Sequence, residues 1–401
     1  MAANNFPLLF FPPPAIAQIA KARMVPKPFH RPDAARQRER LTSRMEALTQ
    51  AFAQRRVALQ QTAPGENPEL VLIMEIVDSI QDFANAVAKI DGFEWLLEWE
   101  DEDLVDDPDF YFEDDEEHGL PRRLFLVATN ETALQQLLSL WEVYKENPAA
   151  KFGYGLAKFK RLFETLRDIR FWSVPDRLGS DVRSYWRELS DDNISPIRFE
   201  IEAWCFSSPL KNQGALAQIS ARIAQLRGQI LSSTLIPEIN YHGVLVELPR
   251  DAIAAILGGD TPELLLADRI MFFRPRTQCI SEPSADETAV AHEIAAEPAE
   301  DAPVVALLDG LPQQNHPLLA ARLDIDDPEG WEAQYEAKDR VHGTSMASLI
   351  LHGDLNANGA ASRRRLYVRP VLLPDPADMN QRRRERIPDN VLLLDLVHRA
   401  V

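Results

Sequence analysis

Two short segments carry side chains whose types and setting suit proton transfer. Residues 304–310 read VVALLDG, a run of strand length that is apolar until Asp309. Such a run suits a parallel strand covered on both faces, and its C-terminal end is where α/β folds place working side chains. Taken singly, a carboxylate there is most often a turn or cap residue. Residues 341–350 read VHGTSMASLI. Met346, Leu349 and Ile350 predict an inward helix face, Thr344 or Ser345 is expected to cap the helix, and Gly343 permits close backbone approach. His342 then stands at a helix N-terminus, where the dipole favours the neutral ring that a general base requires.

Other candidate chemistry is weaker. Residues 100–121 read EDEDLVDDPDFYFEDDEEHGLP, and Asp101, Asp103, Asp106, Asp107 and Asp109 are hard oxygen ligands. Their spacing does not match the calcium loop with its central glycine. The insertion is expected to be a mobile, solvated hairpin tip, because clustered carboxylates repel and resist burial. No metal site is assigned. Cys205 and Cys279 cannot build a disulfide framework and fit a reducing compartment or two small buried side chains.

The elements that must position Asp309 and His342 follow from periodicity. After a proline-rich arm (1–32), residues 33–60 lack Gly and Pro and place Leu41, Met45, Leu48, Phe52 and Leu59 at helical spacing. With the arm, this helix forms a first unit, 1–62, and its arginines are expected to be a solvated face. Residues 63–150 hold strands at 70–77, 93–100 and 122–129 and helices at 79–90 and 131–145, most of a ferredoxin-like α+β module carrying the acidic insertion. A helical connector, 151–196, places Phe159, Leu162, Phe163, Leu166 and Ile169 on one face. Trp172, Tyr185 and Trp186 are expected to be interior or interdomain anchors. Strands at 197–206, 241–249 and 270–275 with helices at 215–230 and 250–259 predict a second ferredoxin-like module, 197–280, with a four-stranded sheet. Residues 281–303 hold seven acidic residues, three prolines and no Lys or Arg, which predicts a flexible acidic linker. In 304–401, a further core strand is expected at 365–374, followed by an Arg-rich loop and a helix capped by Asp389 or Asn390.

Composition limits the function. The 401 residues include 43 Lys+Arg against 62 Asp+Glu, a net charge of -19, which disfavours nucleic acid or an anionic membrane as general partners. There is no basic, uninterrupted signal segment and no 18-residue apolar run, so a cytoplasmic protein without a membrane span is expected.

Asp309-Gly310 at a strand end and His342-Gly343-Thr344 with Ala347 at a helix start together resemble the subtilisin-like serine peptidases. There, a strand-end Asp and a helix-start His-Gly-Thr-x-x-Ala supply acid and base in this chain order. His316-Pro317-Leu318 and Leu351-His352-Gly353-Asp354 are similar to stretches after the family's Asp and His. The resemblance covers about 304–401. It implies the first part of a parallel-sheet α/β domain, with Asp309 and His342 catalytic and Gly310, Gly343 and Thr344 supporting them. It also implies a polypeptide substrate, no cofactor, and a propeptide-like role for the module at 197–280, and it leaves room for a regulatory protein partner. Two departures stand out. No Ser or Thr separates Asp309 from Gly310, and no nucleophile is assigned. Gly343-Thr344-Ser345-Met346-Ala347 looks like the family's serine motif, but family serines lie over a hundred residues beyond the histidine. Ser345 is therefore read as part of the histidine motif. Val401 falls inside a predicted helix, so the sequence is expected to be a fragment and inactive alone. The competing reading is a noncatalytic interaction protein with a degenerate peptidase remnant.

Overall fold

The computed structural model describes residues 29–62, 68–77, 80, 83–113, 120–281, 302–355, 361–380 and 382–400. Asp33 starts the first helix, α1 (Ala34–Thr62), its Oδ1 accepting from the N–H groups of Ala35 (2.9 Å) and Arg36 (2.8 Å). Leu41, Met45, Leu48 and Phe52 recur every three or four residues, and that stripe is buried in the first core. The opposite face is not simply solvated. Arg40 pairs with Asp107 at 2.8 Å and Arg36 with Asp109 at 3.1 Å.

The chain is a multidomain protein of mixed helix-and-sheet modules with several discrete sheets. The first module runs β1 (Leu70–Ile76), α2 (Phe83–Val87), β2 (Phe93–Val105), β3 (Leu120–Thr129), α3 (Glu131–Glu146), α4 (Ala157–Thr165) and β4 (Leu166–Phe171). Its antiparallel sheet has the order β2-β3-β1-β4. Two expectations need correcting. Residues 166–171 are a strand rather than connector helix, since pairing with β1 (Met74 to Ile169, Leu72 to Phe171) outweighs helical periodicity. The acidic insertion begins as strand, because β2 extends to Val105, paired with Leu120. Asp107 and Asp109 in it are only 12% and 16% exposed. Burial pushes both carboxyls up, but hydrogen bonds from Arg40 and Arg36 hold them below the ordinary range, offsetting the repulsion that predicted a solvated tip. Residues 114–119 lie outside the described residues.

The second module follows α5 (Ser180–Asp191) and runs β5 (Ile197–Ala203), α6 (Pro209–Gln225), β6 (Gln229–Ile236), β7 (Tyr241–Leu248), α7 (Arg250–Leu257) and β8 (Ile270–Pro275). Its antiparallel order is β8-β5-β7-β6. The helix expected at 215–230 stops earlier because Arg227 takes φ 61 and Gly228 passes where a Cβ would lie 2.4 Å from the Glu247 carbonyl oxygen. Ile230 thus belongs to β6. The modules meet through Trp172, whose indole N–H donates to the Met271 carbonyl (2.9 Å) and whose ring is edge-on to Trp204 (5.3 Å) and Phe272 (5.4 Å). Val71, Ile73, Leu126 and Ala128 from the first sheet complete that apolar seam.

The linker expected at 281–303 lies, at 282–301, outside the described residues. Beyond it, β9 (Ala306–Asp309), β10 (Leu323–Ile325), α8 (Val341–His352), β11 (Leu366–Pro370) and α9 (Leu393–Ala400) form the last unit, with a parallel sheet in the order β9-β11-β10. Leu307, Leu319, Ala347, Leu351, Leu366 and Val368 pack between sheet and α8. The strand expected at 365–374 divides: after β11, Leu373–Pro374 joins a separate antiparallel ribbon with Glu385–Arg386, which also pairs with Ile280–Ser281. Asp389 does not cap α9. It accepts from Arg276 at 2.8 Å instead. No helix among the described residues is long and apolar enough to cross a membrane.

Candidate active site at the end of a parallel strand

Asp309 ends β9, buried to 6% exposure. Parallel pairing with β11 fixes its backbone, as Val371 N–H donates to the Asp309 carbonyl at 2.9 Å. Its carboxylate Oδ1 accepts from the Gly310 N–H at 2.7 Å. His342, on the first turn of α8, brings Nδ1 to 3.0 Å from Oδ1 and 2.9 Å from Oδ2. A carboxylate on Nδ1 selects the tautomer with its proton there, leaving Nε2 as the nitrogen that can accept one. The histidine side chain remains 40% exposed and the aspartate side chain 8%. A buried acid thus holds a reachable base.

Backbone proximity explains the flanking glycines. A Cβ at Gly343 would lie 2.2 Å from the Gly310 carbonyl oxygen, and one at Gly310 would lie 1.9 Å from Glu385 Oε1. Gly343→Ala must therefore push α8 from the β9 turn. Overpacking of this kind costs roughly 1–3 kcal/mol. We expect lower thermal stability and loss of the His342–Asp309 hydrogen bond, read by imidazole ¹⁵N shifts; a stable variant with unchanged shifts would contradict the close-approach account.

Thr344 and Ser345 do not cap the helix. It starts at Val341, Thr344 Oγ1 donates back to the Arg340 carbonyl, and it accepts the Gln313 N–H at 2.9 Å, tying α8 to the loop after Asp309. Ser345 lies exposed further along the helix. His352 is buried at the far end, its Nε2 2.8 Å from the Leu318 carbonyl oxygen, and His316 Nδ1 accepts the Leu318 N–H at 3.3 Å. Both shape the scaffold without joining the pair.

Sequence reasoning missed a group of neighbours. His342 shares a small cavity with Ser281, Asp339, Arg383 and Glu385. Asp339 is held below the ordinary carboxylate range: burial opposes this, but Arg383 hydrogen bonds prevail. Glu385 is 2% exposed and its carboxyl is pushed up to about 7, by burial first, with the Asp309 and Asp339 charges adding and the Tyr335 hydroxyl opposing. In the sequence Glu385 stands within RRRERIP, whose charge density reads as surface. Among the described residues, no group of three or more His, Cys, Asp or Glu could hold a metal ion. Comparison with protein-family models finds no match, and comparison with curated proteins finds none.

Proposed function

We propose that this chain carries the acid and base of a subtilisin-like serine endopeptidase, with an upstream region that regulates it. The observation that carries the reading is the contact of His342 Nδ1 with the carboxylate of Asp309, a strand-end acid and a helix-start base. Asp309 keeps the ring oriented and stabilises the imidazolium; Nε2 takes the proton of a serine hydroxyl attacking a peptide carbonyl, then returns it to the leaving amine. The serine and the oxyanion donors would come from polypeptide beyond this sequence. Ser345, on the same helix as His342, is not that nucleophile.

The upstream order supports regulation. Both modules run strand–helix–strand–strand–helix–strand, with an extra helix before the last strand of the first, and have ferredoxin-like strand orders. From the second, residues 276–281 lie along 385–389: Arg276 donates to Asp389 at 2.8 Å, Gln278 Oε1 accepts the Ile387 N–H at 2.9 Å, and Ile280–Ser281 pairs with Glu385–Arg386. That track ends with Ser281 in the cavity of His342. A propeptide-like module delivering its tail to the cleft would have this arrangement, and its substrate class is polypeptide.

A fluorophosphonate probe tests the reading. Residues 1–401 alone should remain unlabelled. A longer natural product of the same gene should be labelled at one serine outside this sequence, and His342→Ala should abolish most of that labelling. Labelling of 1–401 that disappears with Ser345→Ala would overturn the assignment, and a longer product that never labels would favour the noncatalytic interaction protein.

A further inference from the structure

Glu385 is a buried acid beside Asp309 and His342 that the proposed chemistry does not use. Its Oε1 is buried without a hydrogen-bond partner. The side chain fills the space left by the missing Cβ of Gly310, directly behind the turn whose N–H binds Asp309. It also lines the cavity of His342.

The groups around it are drawn from several elements. From the 3₁₀ turn Trp331–Gln334 and its end, Tyr335 lies against Glu385, with its hydroxyl donating to the Leu372 carbonyl at 2.7 Å. From the turn Ala337–Asp339, Asp339 is engaged by Arg383 and Lys338 by Glu336, at 3.2 Å. On its own ribbon, Arg384 and Arg386 both turn to Asp375, each at 3.2 Å. Asp309 comes from β9, His342 from α8, and Arg382 completes the charged lining of the cavity. A carboxylate desolvated to this degree, with one oxygen unpaired and a second carboxylate nearby, is strongly disfavoured against its neutral acid.

We propose that Glu385 is a positioning residue for the Asp309–His342 pair, a neutral carboxylic acid that backs the Gly310 turn and leaves Asp309 as the anion facing His342. The proposal rests on the reading of those two residues as an acid–base pair. Ionisation of Glu385 would place two carboxylates on either side of one glycine and draw water behind the turn. The Glu385–Arg386 strand would then loosen, and the Asp309 carboxylate would lose its fixed aim at Nδ1.

The sign follows from the carboxyl being raised, from 4.5 to about 7. Between those values the folded chain holds a proton that the unfolded chain has released, so this contribution to stability falls as pH rises through the window and is fully lost above it. Glu385→Gln keeps the size and neutrality and abolishes the titration.

The test uses the whole 401-residue chain, following the low-field Nδ1–H resonance of His342 from about pH 5.5 to about pH 8.5, so it needs no turnover and survives failure of the peptidase reading. We expect equal signals in wild type and Glu385→Gln at about pH 5.5, and loss of more than half the wild-type signal by about pH 8 with the variant signal retained. The unfolding midpoint should likewise fall with pH more steeply in wild type. Parallel loss in both proteins would overturn the proposal. Should Glu385→Gln fail to fold, the ¹³C carboxyl titration of Glu385 in wild type decides: a midpoint near 7 supports it, and one near the ordinary 4.5 overturns it.

Discussion

On the proposed peptidase reading, replacement of Asp309 by Asn is expected to lower turnover of a product that also carries the serine by about 10⁴-fold, with little change in KM. The cause lies in one hydrogen bond. Gly310 N–H donates to Oδ1 at 2.7 Å, so the oxygen of an asparagine would stay at that position. Its NH₂ would then occupy the place of Oδ2, 2.9 Å from His342 Nδ1, while the neutral amide oxygen stays 3.0 Å from the same nitrogen. The NH₂ favours Nδ1 as an acceptor with the ring proton on Nε2, where it blocks uptake of a serine proton, and the neutral oxygen no longer holds the proton on Nδ1 as a carboxylate does. The variant preserves shape, removes the charge and releases the tautomer from its lock on Nδ1. Imidazole ¹⁵N shifts in residues 1–401 report the tautomer directly, and turnover of any product that also carries the proposed serine reports the consequence. An Asp309→Asn protein whose ring proton stays on Nδ1, or whose turnover falls less than tenfold, would remove Asp309 from the proposed mechanism.

Asp268→Ala is expected to destabilise the upstream region by roughly 3–5 kcal/mol, the usual cost of removing one member of a buried charge group. Asp268 accepts from Arg55 Nε of α1 at 2.8 Å and lies 3.9 Å from Arg177 Nη2. The two arginine side chains are only 12% and 6% exposed. Burial pushes the Arg177 guanidinium downward, and Asp268 is the charge that opposes it most. Arg177 Nε also donates to the Ile270 carbonyl at 3.0 Å, so the side chain cannot readily swing out to water. Deleting the carboxylate leaves two desolvated cations facing each other. Urea denaturation followed by tryptophan fluorescence measures the loss, and a cost under about 1 kcal/mol would contradict the account. The combined change Arg55→Met, Asp268→Leu, Arg177→Met should be much milder than Asp268→Ala, because it removes the charges together with their desolvation.

Where local pattern and tertiary pairing agreed, the sequence could be read closely. The stripe Leu41, Met45, Leu48, Phe52 identified α1, and Asp33 marked its start. The apolar run before Asp309 identified β9, which pairs in parallel with β11 as expected. Reading failed where two conformations bury the same side chains. Leu166 and Ile169 continue the helical spacing of Phe159, Leu162 and Phe163, yet both are buried in a strand, because the edge of β1 offers ladder partners that no local preference encodes. Helical spacing likewise extends to Ile230, which instead lies in β6 and pairs with Val246.

The charged segments divided along a similar line. Carboxylates crowded in sequence repel, and from sequence alone Asp107 and Asp109 belong in water; their partners Arg36 and Arg40 come from about 70 residues earlier, brought there by packing of α1. Glu385 was hidden by the arginines beside it, of which Arg383, Arg384 and Arg386 turn to other acids.

Residue type and short-range backbone geometry were enough to mark the candidate pair: a carboxylate at the end of an apolar strand, a histidine at the start of a helix, and a glycine beside each. Tertiary packing alone brings the carboxylate to Nδ1, makes the glycines necessary where two backbones and a buried glutamate meet, and puts Ser281 and Glu385 in one cavity. Those outcomes depend on contacts between residues tens to more than a hundred positions apart, which form when the β9–β11 sheet, α8 and the 280–281 ribbon bury their faces together.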